Sequence, residues 1–216
     1  MPTTRIAHCR LYGFIDTAYL AGREPGDVAR KLIAGGVDVL QVRAKLNSHA
    51  ELVGIGLEVV ELAKRHHVPV IINDDLDAAF ETGANGVHFG QEDWSRLGGS
   101  EERSERLANM RIVGLSTHSL EQALAAERDG VDYIGVGPVF PTATKPGVKP
   151  VGVELVGKVD ARVKTPFFAI GGITLDNVGR VLAAGATRVA VVSAILCAAD
   201  MGEAAAAFKR QLGGVK

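Results

Sequence analysis

Four times along the chain a helix-like stretch ends in a glycine, a small or apolar residue and a polar one, then enters an apolar run. The copies are Gly36-Val37-Asp38, Gly83-Ala84-Asn85, Gly130-Val131-Asp132 and Gly185-Ala186-Thr187, spaced 47, 47 and 55 residues apart. Glycine is what a helix needs where its C-terminal end turns left-handed, and the apolar run after it reads as a buried parallel strand. Each repeat is too long for one strand and one helix, so it holds two of each. Four such units give eight strands and eight helices, the count that closes a (β/α)8 TIM barrel of about 200 to 250 residues. A chain of 216 residues leaves little for anything else, so residues 1–216 read as a single α/β barrel domain. Barrel enzymes build their sites from the loops leaving the C-terminal ends of the strands, which tells us where to look for chemistry.

Composition narrows the partners. Lys and Arg number 24 against 25 Asp and Glu, a formal charge of −1, so no basic face for nucleic acid is expected and an anion site must gather its cations locally. Cys9 and Cys197 have no metal-ligand or redox spacing and read as reduced thiols. No apolar secretory core precedes Arg10, and the longest apolar run, Val189 to Ala199, is too short to span a bilayer. These features lead us to expect a soluble cytoplasmic protein with no membrane partner, whose apolar helix faces leave room for a homo-oligomer.

Strand-like runs cover Leu11 to Ile15, Val37 to Val42, Val68 to Ile72, Gly86 to Phe89, Ile112 to Leu115, Tyr133 to Val136, Phe167 to Ile170 and Val189 to Val192. Pro69 and Pro166 stand where strands begin, which a missing amide donor tolerates. Ser48 with Glu51, and Ser119 with Gln122, have the spacing of a capping box. Between Glu92 and Asn109, Gly98-Gly99-Ser100 breaks the pattern and a charged run follows, which predicts a loop and one irregular exposed helix.

The strand ends carry the polar residues. After the second strand, alternation puts Gln41, Arg43 and Lys45 on one side, facing the barrel mouth. The third and fourth strands lead into Asn73-Asp74-Asp75 and Gly90-Gln91-Glu92-Asp93. Asp75 can simply cap the next helix, whereas Asp74 and Asp93 fit an oxygen-ligated Mg2+, which takes one or two carboxylates and fills its other positions with water and phosphate. The sixth strand opens into a Gly-, Pro- and Thr-rich loop from Gly135 to Gly147 that can approach a phosphate closely, and equally reads as a flexible connector. Gly171-Gly172 and Val192-Ser193 close the seventh and eighth strands, the recurrent phosphate cradle of this architecture. Of six histidines, His118 alone stands where an acid or base would be useful, while His88 reads as a strand residue. A glycine cradle can serve one phosphate monoester, so a separate metal and lysine cluster asks for a second, more anionic group. That combination suggests joining two phosphorylated substrates, with diphosphate as the leaving group.

In order along the chain, Gln41-x-Arg43-x-Lys45, Asn73-Asp74, His88-x-Gly90-Gln91-x-Asp93, Gly114-x-Ser116, Gly137-Pro138-x-x-Pro141-Thr142-x-Thr144-Lys145, Gly171-Gly172-Ile173 and Val192-Ser193 together resemble the thiamine-phosphate synthase family. The Pro-Thr-x-Thr-Lys loop is the most specific part. The resemblance implies condensation of a hydroxymethylpyrimidine diphosphate with a thiazole phosphate, in its plain or carboxylated form, giving thiamine monophosphate and diphosphate. It implies that Gln41 holds the aminopyrimidine, that Val42 and Ala44 border it, and that Arg43, Lys45, Asn73, Ser116 and Lys145 bind the diphosphate. Arg43, Lys45, Ser116 and Lys145 would be the catalytic set, and Asp74 and Asp93 the Mg2+ ligands. Thr142, Ala143, Thr144, Gly172, Val192 and Ser193 would surround the thiazole phosphate. Two rivals share parts of this pattern. A related thiazole tautomerase would use a histidine such as His118, and a non-catalytic precursor-binding protein would have lost a metal or leaving-group ligand.

Overall fold

The computed structural model describes residues 6–144 and 147–213. Eight parallel strands follow one another around a closed barrel: β1 (Leu11–Asp16), β2 (Val39–Arg43), β3 (Val70–Asn73), β4 (Gly86–Phe89), β5 (Ile112–Thr117), β6 (Tyr133–Val136), β7 (Phe167–Ile170) and β8 (Val189–Ala190). The ring closes where Leu11 and Tyr12 of β1 pair with Val189 and Ala190 of β8. Around it lie α1 (Pro25–Ala34), α2 (His49–Lys64), α3 (Leu76–Thr82), α4 (Gln91–Arg96), α5 (Ser100–Leu107), α6 (Leu120–Arg128), α7 (Gly152–Asp160), α8 (Val178–Ala183), α9 (Ser193–Leu196) and α10 (Met201–Gly213).

The repeated glycines do what the sequence requires of them: Gly36, Gly83, Gly130 and Gly185 all have positive φ, at 87°, 65°, 76° and 104°. The polar residue two places on has its own task at three of the four. Asp38 accepts from the amides of Arg10 and Leu11, Asn85 from Val70 and Asp132 from Val113. Each thus ties the start of its own strand to the strand before it, so glycine and polar residue together set the register of neighbouring β/α units.

Several boundaries differ from expectation. β2 and β3 begin two residues late, because Val37 and Val68 still bond back to the preceding helix, at Leu32 and Ala63. β8 stops at Ala190, since Val192 already accepts from Ile195 and Leu196 as the cap of α9. Ser48 and Glu51 form the full capping box. Ser119 does accept from the amide of Gln122, but the Gln122 side chain accepts from His118, so the second box is only half made. The stretch from Glu92 to Asn109 is two helices rather than a loop and one helix. Buried Trp94 explains why, since it packs on Phe89, lies under the Arg103 guanidinium at 4.9 Å and donates from Nε1 to Asp129. That anchor folds α4 against the barrel and leaves α5 without a buried residue.

Inside the ring, side chains alternate as parallel strands demand. Tyr12, Phe14, Tyr133 and Phe168 interlock with ring centroids 5.2 to 5.8 Å apart, forming an aromatic floor beneath the mouth. Gly114 makes room for it, because a Cβ there would stand 2.2 Å from the Tyr133 ring. On the outer layer, Leu57 of α2 and Phe80 of α3 are exposed. No helix among the described residues is long and apolar enough to cross a membrane.

Candidate active site

The expected polar positions that the structure describes lie at or just beyond the C-terminal ends of the strands, and all but Gln41 and Arg43 line one of two clefts. A polar cleft opens over β2, β3 and β4, walled by Lys45, Asn73, Asp74 and Asp93 and, from the helices after β4, by Arg96 and Arg106. A less polar cleft opens over β5 to β8, lined by Ser116, Thr142, Thr144, Gly172, Val192 and Ser193. Lys145 lies outside the described residues.

Arg43 and Lys45 each already hold a carboxylate. Arg43, 14% exposed, donates from Nη1 to Asp16 Oδ2 at 2.8 Å, and Asp16 is 1% exposed. Lys45 Nζ meets Asp74 Oδ2 at 2.9 Å. Asp16 thus offsets the charge of Arg43, a pairing that the strand-end residues of β2 alone do not reveal. The alternation that singled out Gln41, Arg43 and Lys45 would have found Asp16 had it been applied to β1, where Tyr12, Phe14 and Asp16 are in phase. Val42 falls out of phase and is fully buried toward the helices, so only its backbone can face a ligand. Ala44 borders the polar cleft.

Asp74 has left-handed backbone, φ 62°, and its carboxylate is held from three sides. Gly90 N donates to Oδ1 at 2.9 Å, while Lys45 and Asn73 Nδ2 reach Oδ2, the latter at 2.6 Å. Burial alone would raise its pKa, but the Lys45 hydrogen bond, the Gly90 amide and the lysine charge outweigh it and hold the carboxyl below its ordinary value. Asp93 pairs with Arg96 at 2.8 Å. Oxygens of both carboxylates come within 4 Å of the point where a Cβ on Gly90 would sit, Asp93 Oδ2 at 3.6 Å and Asp74 Oδ1 at 3.9 Å. No group of three His, Cys, Asp or Glu converges on a metal position among the described residues. Two converging carboxylates beside a cleft open to phosphate and water suit Mg2+, which does not need a full protein cage. Asp75 caps α3, its side chain accepting from the Ala78 amide, as its position after β3 suggested.

The less polar cleft is framed by backbone and hydroxyls. Gly171 and Gly172 take positive φ, at 98° and 64°. Thr144 Oγ1 bonds the Tyr19 hydroxyl at 2.8 Å and its amide donates to Thr142 Oγ1, so the β6–α7 loop is tied to the turn after β1. Ala143 is exposed and does not line the cleft. His118 lines it, with Nδ1 donating to the Gly137 carbonyl.

Sequence reasoning missed a buried run of hydrogen bonds that ends at Ser116. Gln41, 3% exposed, donates from Nε2 to Tyr12 Oη at 2.8 Å; Tyr12 and Tyr133 hydroxyls meet at 2.9 Å; His88 Nδ1 lies 3.0 Å from Tyr133 Oη, and His88 Nε2 lies 2.9 Å from Ser116 Oγ. Gln91 Nε2 also donates to the Ser116 carbonyl. His88 thus faces the barrel interior and bonds Ser116, which lines a cleft, rather than being an ordinary strand residue. The signal was its parity with Gln41 and Ser116 across the register Asn73 to His88 to Gly114.

Known proteins resemble this chain over most of its length. The family model described as thiamine monophosphate synthase matches residues 11–195. The chain is 41% identical over 203 residues to a thiamine-phosphate synthase of Methanospirillum hungatei, covering 93% of this chain and 96% of that one. It is 44% identical over 190 residues to a thiamine-phosphate synthase of Thermus thermophilus, covering 88% and 89%. Among solved structures, a thiamine phosphate pyrophosphorylase of Pyrococcus furiosus superposes with a TM-score of 0.85 at 33% identity over 96% of both chains.

Proposed function

Because the chain belongs to the thiamine monophosphate synthase family, we propose that its barrel mouth joins an aminopyrimidine carrying a methyl diphosphate to a thiazole phosphate, forming thiamine monophosphate and diphosphate. It is a transferase with a diphosphate leaving group, and the 216 residues act as one barrel domain. One observation carries the reading: two clefts of opposite chemistry open into one mouth, one with cations and paired carboxylates, the other with glycines and hydroxyls.

In this reading the diphosphate lies in the polar cleft and reaches Ser116 at the edge of the other. Arg43, Lys45, Asn73, Ser116 and Lys145 bind it, and the Gln41 amide holds the exocyclic amine of the pyrimidine. Asp74 and Asp93 hold Mg2+, which when bound offsets charge on the departing diphosphate. Thr142 and Thr144 bind the thiazole phosphate with the backbone at Gly172, Val192 and Ser193. The bond between the pyrimidine methylene and the diphosphate oxygen breaks, the electron-rich ring carries the resulting cation, and the thiazole nitrogen forms the new bond. No protein group needs to take or give a proton in that step. The work is positioning and charge stabilisation, which preorganised donors supply without a catalytic histidine. A tautomerase would need His118 as acid and base, but isomerisation has no use for the polar cleft.

Incubating both substrates with Mg2+ tests the assignment. Diphosphate and thiamine monophosphate should appear in equal amounts; thiazole isomerisation with neither product would overturn it.

A further inference from the structure

We propose that Arg23 and Tyr19, on the turn after β1, are positioning residues that bracket the less polar cleft and hold its two rims at the spacing a thiazole phosphate needs. Neither side chain lines that cleft, yet each is bonded to one of its rims. The Tyr19 hydroxyl meets Thr144 Oγ1 at 2.8 Å, on the loop after β6. The Arg23 guanidinium reaches the other rim, donating from Nη2 to the Leu196 carbonyl at 2.9 Å, at the end of the α9 helix that starts with Ser193. It also binds its own turn, with Nε on the Leu20 carbonyl at 2.7 Å and Nη2 on the Tyr19 carbonyl at 2.6 Å. One side chain thus fastens the Tyr19 backbone to α9, and the Tyr19 ring carries that anchorage across to Thr144. Arginine can only donate and a carbonyl can only accept, so the direction of these three bonds is fixed. Either hydroxyl of the Tyr19–Thr144 pair can donate without changing the tie.

The rim at α9 needs such a tie. That helix has four residues, a single turn whose own bonds are too few to fix it in place, so its position depends on its neighbours. Leu196 supplies its last carbonyl, where a cation both satisfies a free acceptor and complements the helix dipole. The turn after β1 is bent to deliver that cation. Ala21 and Gly22 both have left-handed backbone, at φ 50° and 80°, and the Arg23 amide closes the turn on the Leu20 carbonyl at 3.0 Å. A residue with a Cβ adopts that conformation at a cost, and such strain persists where surrounding bonds over-determine it. Arginine suits the place better than lysine, because its rigid planar fork can hold carbonyls of two separate segments at once. The ligand named rests on the synthase reading of the cleft, while the bracket between its rims does not.

Arg23→Met removes the donors at similar length. In the protein without substrates, the amides of Ile195, Leu196 and Cys197 should then exchange hydrogen about fivefold faster or more, the effect of one net hydrogen bond lost. Unchanged exchange there overturns the proposal. In the coupling assay the KM for thiazole phosphate should rise about ten- to a hundredfold, the scale of a misplacement by an ångström, while that for the pyrimidine diphosphate stays within about twofold. An equal rise in both KM values would mean general loosening and count against the bracket. Arg23→Lys keeps the charge without the fork and should leave the thiazole KM high; full restoration would make Arg23 a source of charge alone and refute the tie. Tyr19→Phe removes a single oxygen, so it serves even if Arg23→Met fails to fold, and an unmoved thiazole KM in it would also refute the tie. Added to Arg23→Met it should cost little more, because the ring is then no longer anchored; full additivity would show that the two residues act separately. Wild-type protein that makes no thiamine monophosphate, with α9 still loosened by Arg23→Met, would refute the reaction and support the bracket.

Discussion

Gly172→Ala separates the two clefts in one substitution. Gly172 has φ +64°, and a Cβ there would stand 2.4 Å from the Pro141 carbonyl oxygen, 2.8 Å from Phe140 Cβ and 2.9 Å from the Phe140 carbonyl oxygen. Two of these three neighbours are backbone, so no rotamer change relieves the clash and the 140–141 segment must move. A left-handed residue with a Cβ costs about 1–2 kcal/mol and overpacking about 1–3 more, so the total is about 2–5 kcal/mol. At about 2–4 °C of Tm for each kcal/mol in a chain of this size, Tm should fall by on the order of 4–20 °C. Because the displaced segment leads into Thr142 and Thr144, the KM for thiazole phosphate should rise about tenfold, the equivalent of 1.4 kcal/mol, while that for the pyrimidine diphosphate stays within about twofold. Steady-state coupling with each substrate varied in turn, alongside calorimetry, gives both readouts. Gly179→Ala is the control, since nothing lies within 4 Å of the added carbon and alanine favours the helix. Unchanged Tm and thiazole KM in Gly172→Ala, or an equal rise in both KM values, would refute the assignment of that cleft.

Asp74→Asn should lower turnover more than tenfold, a loss above about 1.4 kcal/mol of transition-state stabilisation, and raise the Mg2+ concentration giving half-maximal rate. An unchanged Mg2+ titration would remove Asp74 from the metal site. Lys145→Ala should likewise cost more than about tenfold with saturating substrates, and an undiminished rate would end its role at the diphosphate. His118→Ala should leave coupling largely intact; abolished synthesis would revive an acid–base role for it. His49 bonds Asp75 at 2.8 Å and Glu81 at 3.1 Å, and these carboxylates raise its pKa. The stabilisation is therefore complete below the ordinary histidine value of about 6.5 and is lost as pH rises through the higher folded value. The Tm advantage of wild type over His49→Gln should shrink over that interval, and a gap constant from about pH 5.5 to 8.5 would count against the pairing.

Much of this was legible in the sequence for a simple reason: periodicity and caps are local. The four glycine repeats gave the barrel because a left-handed turn needs glycine wherever it occurs, and alternation along a strand placed Gln41, Arg43 and Lys45 without reference to any partner. What escaped depended on which strands become neighbours. Asp16 matters because β1 lies beside β2, opposite Arg43. His88 matters because β5 and β6 bring Ser116 and Tyr133 to its two ring nitrogens, from 28 and 45 residues away. Trp94 was hidden by its charged surroundings, yet its partners Phe89, Arg103 and Asp129 turn an expected loop into part of the cleft wall.

The division of the mouth follows from electrostatics. Two dianionic groups 8 Å apart at an effective dielectric of 20 repel by about 8 kcal/mol, and at 16 Å by about half that. An enzyme joining two such substrates gains by holding their phosphates on opposite sides of the ring while the reacting atoms meet between them. Here the cations and carboxylates cluster over β2 to β4, and the glycine and threonine cradle lies over β6 to β8. The ground between is floored by Tyr12, Tyr133 and Phe168, with His88 stacked on Tyr133, and among the described residues no buried side-chain polar atom lacks a partner. Such a floor presents aromatic faces and hydrogen-bonded hydroxyls, which in the proposed reaction would face the short-lived cation. A carboxylate introduced there would compete with the thiazole nitrogen for the cation, which gives a physical reason why Asp16, the acid on β1 nearest that floor, is locked to Arg43.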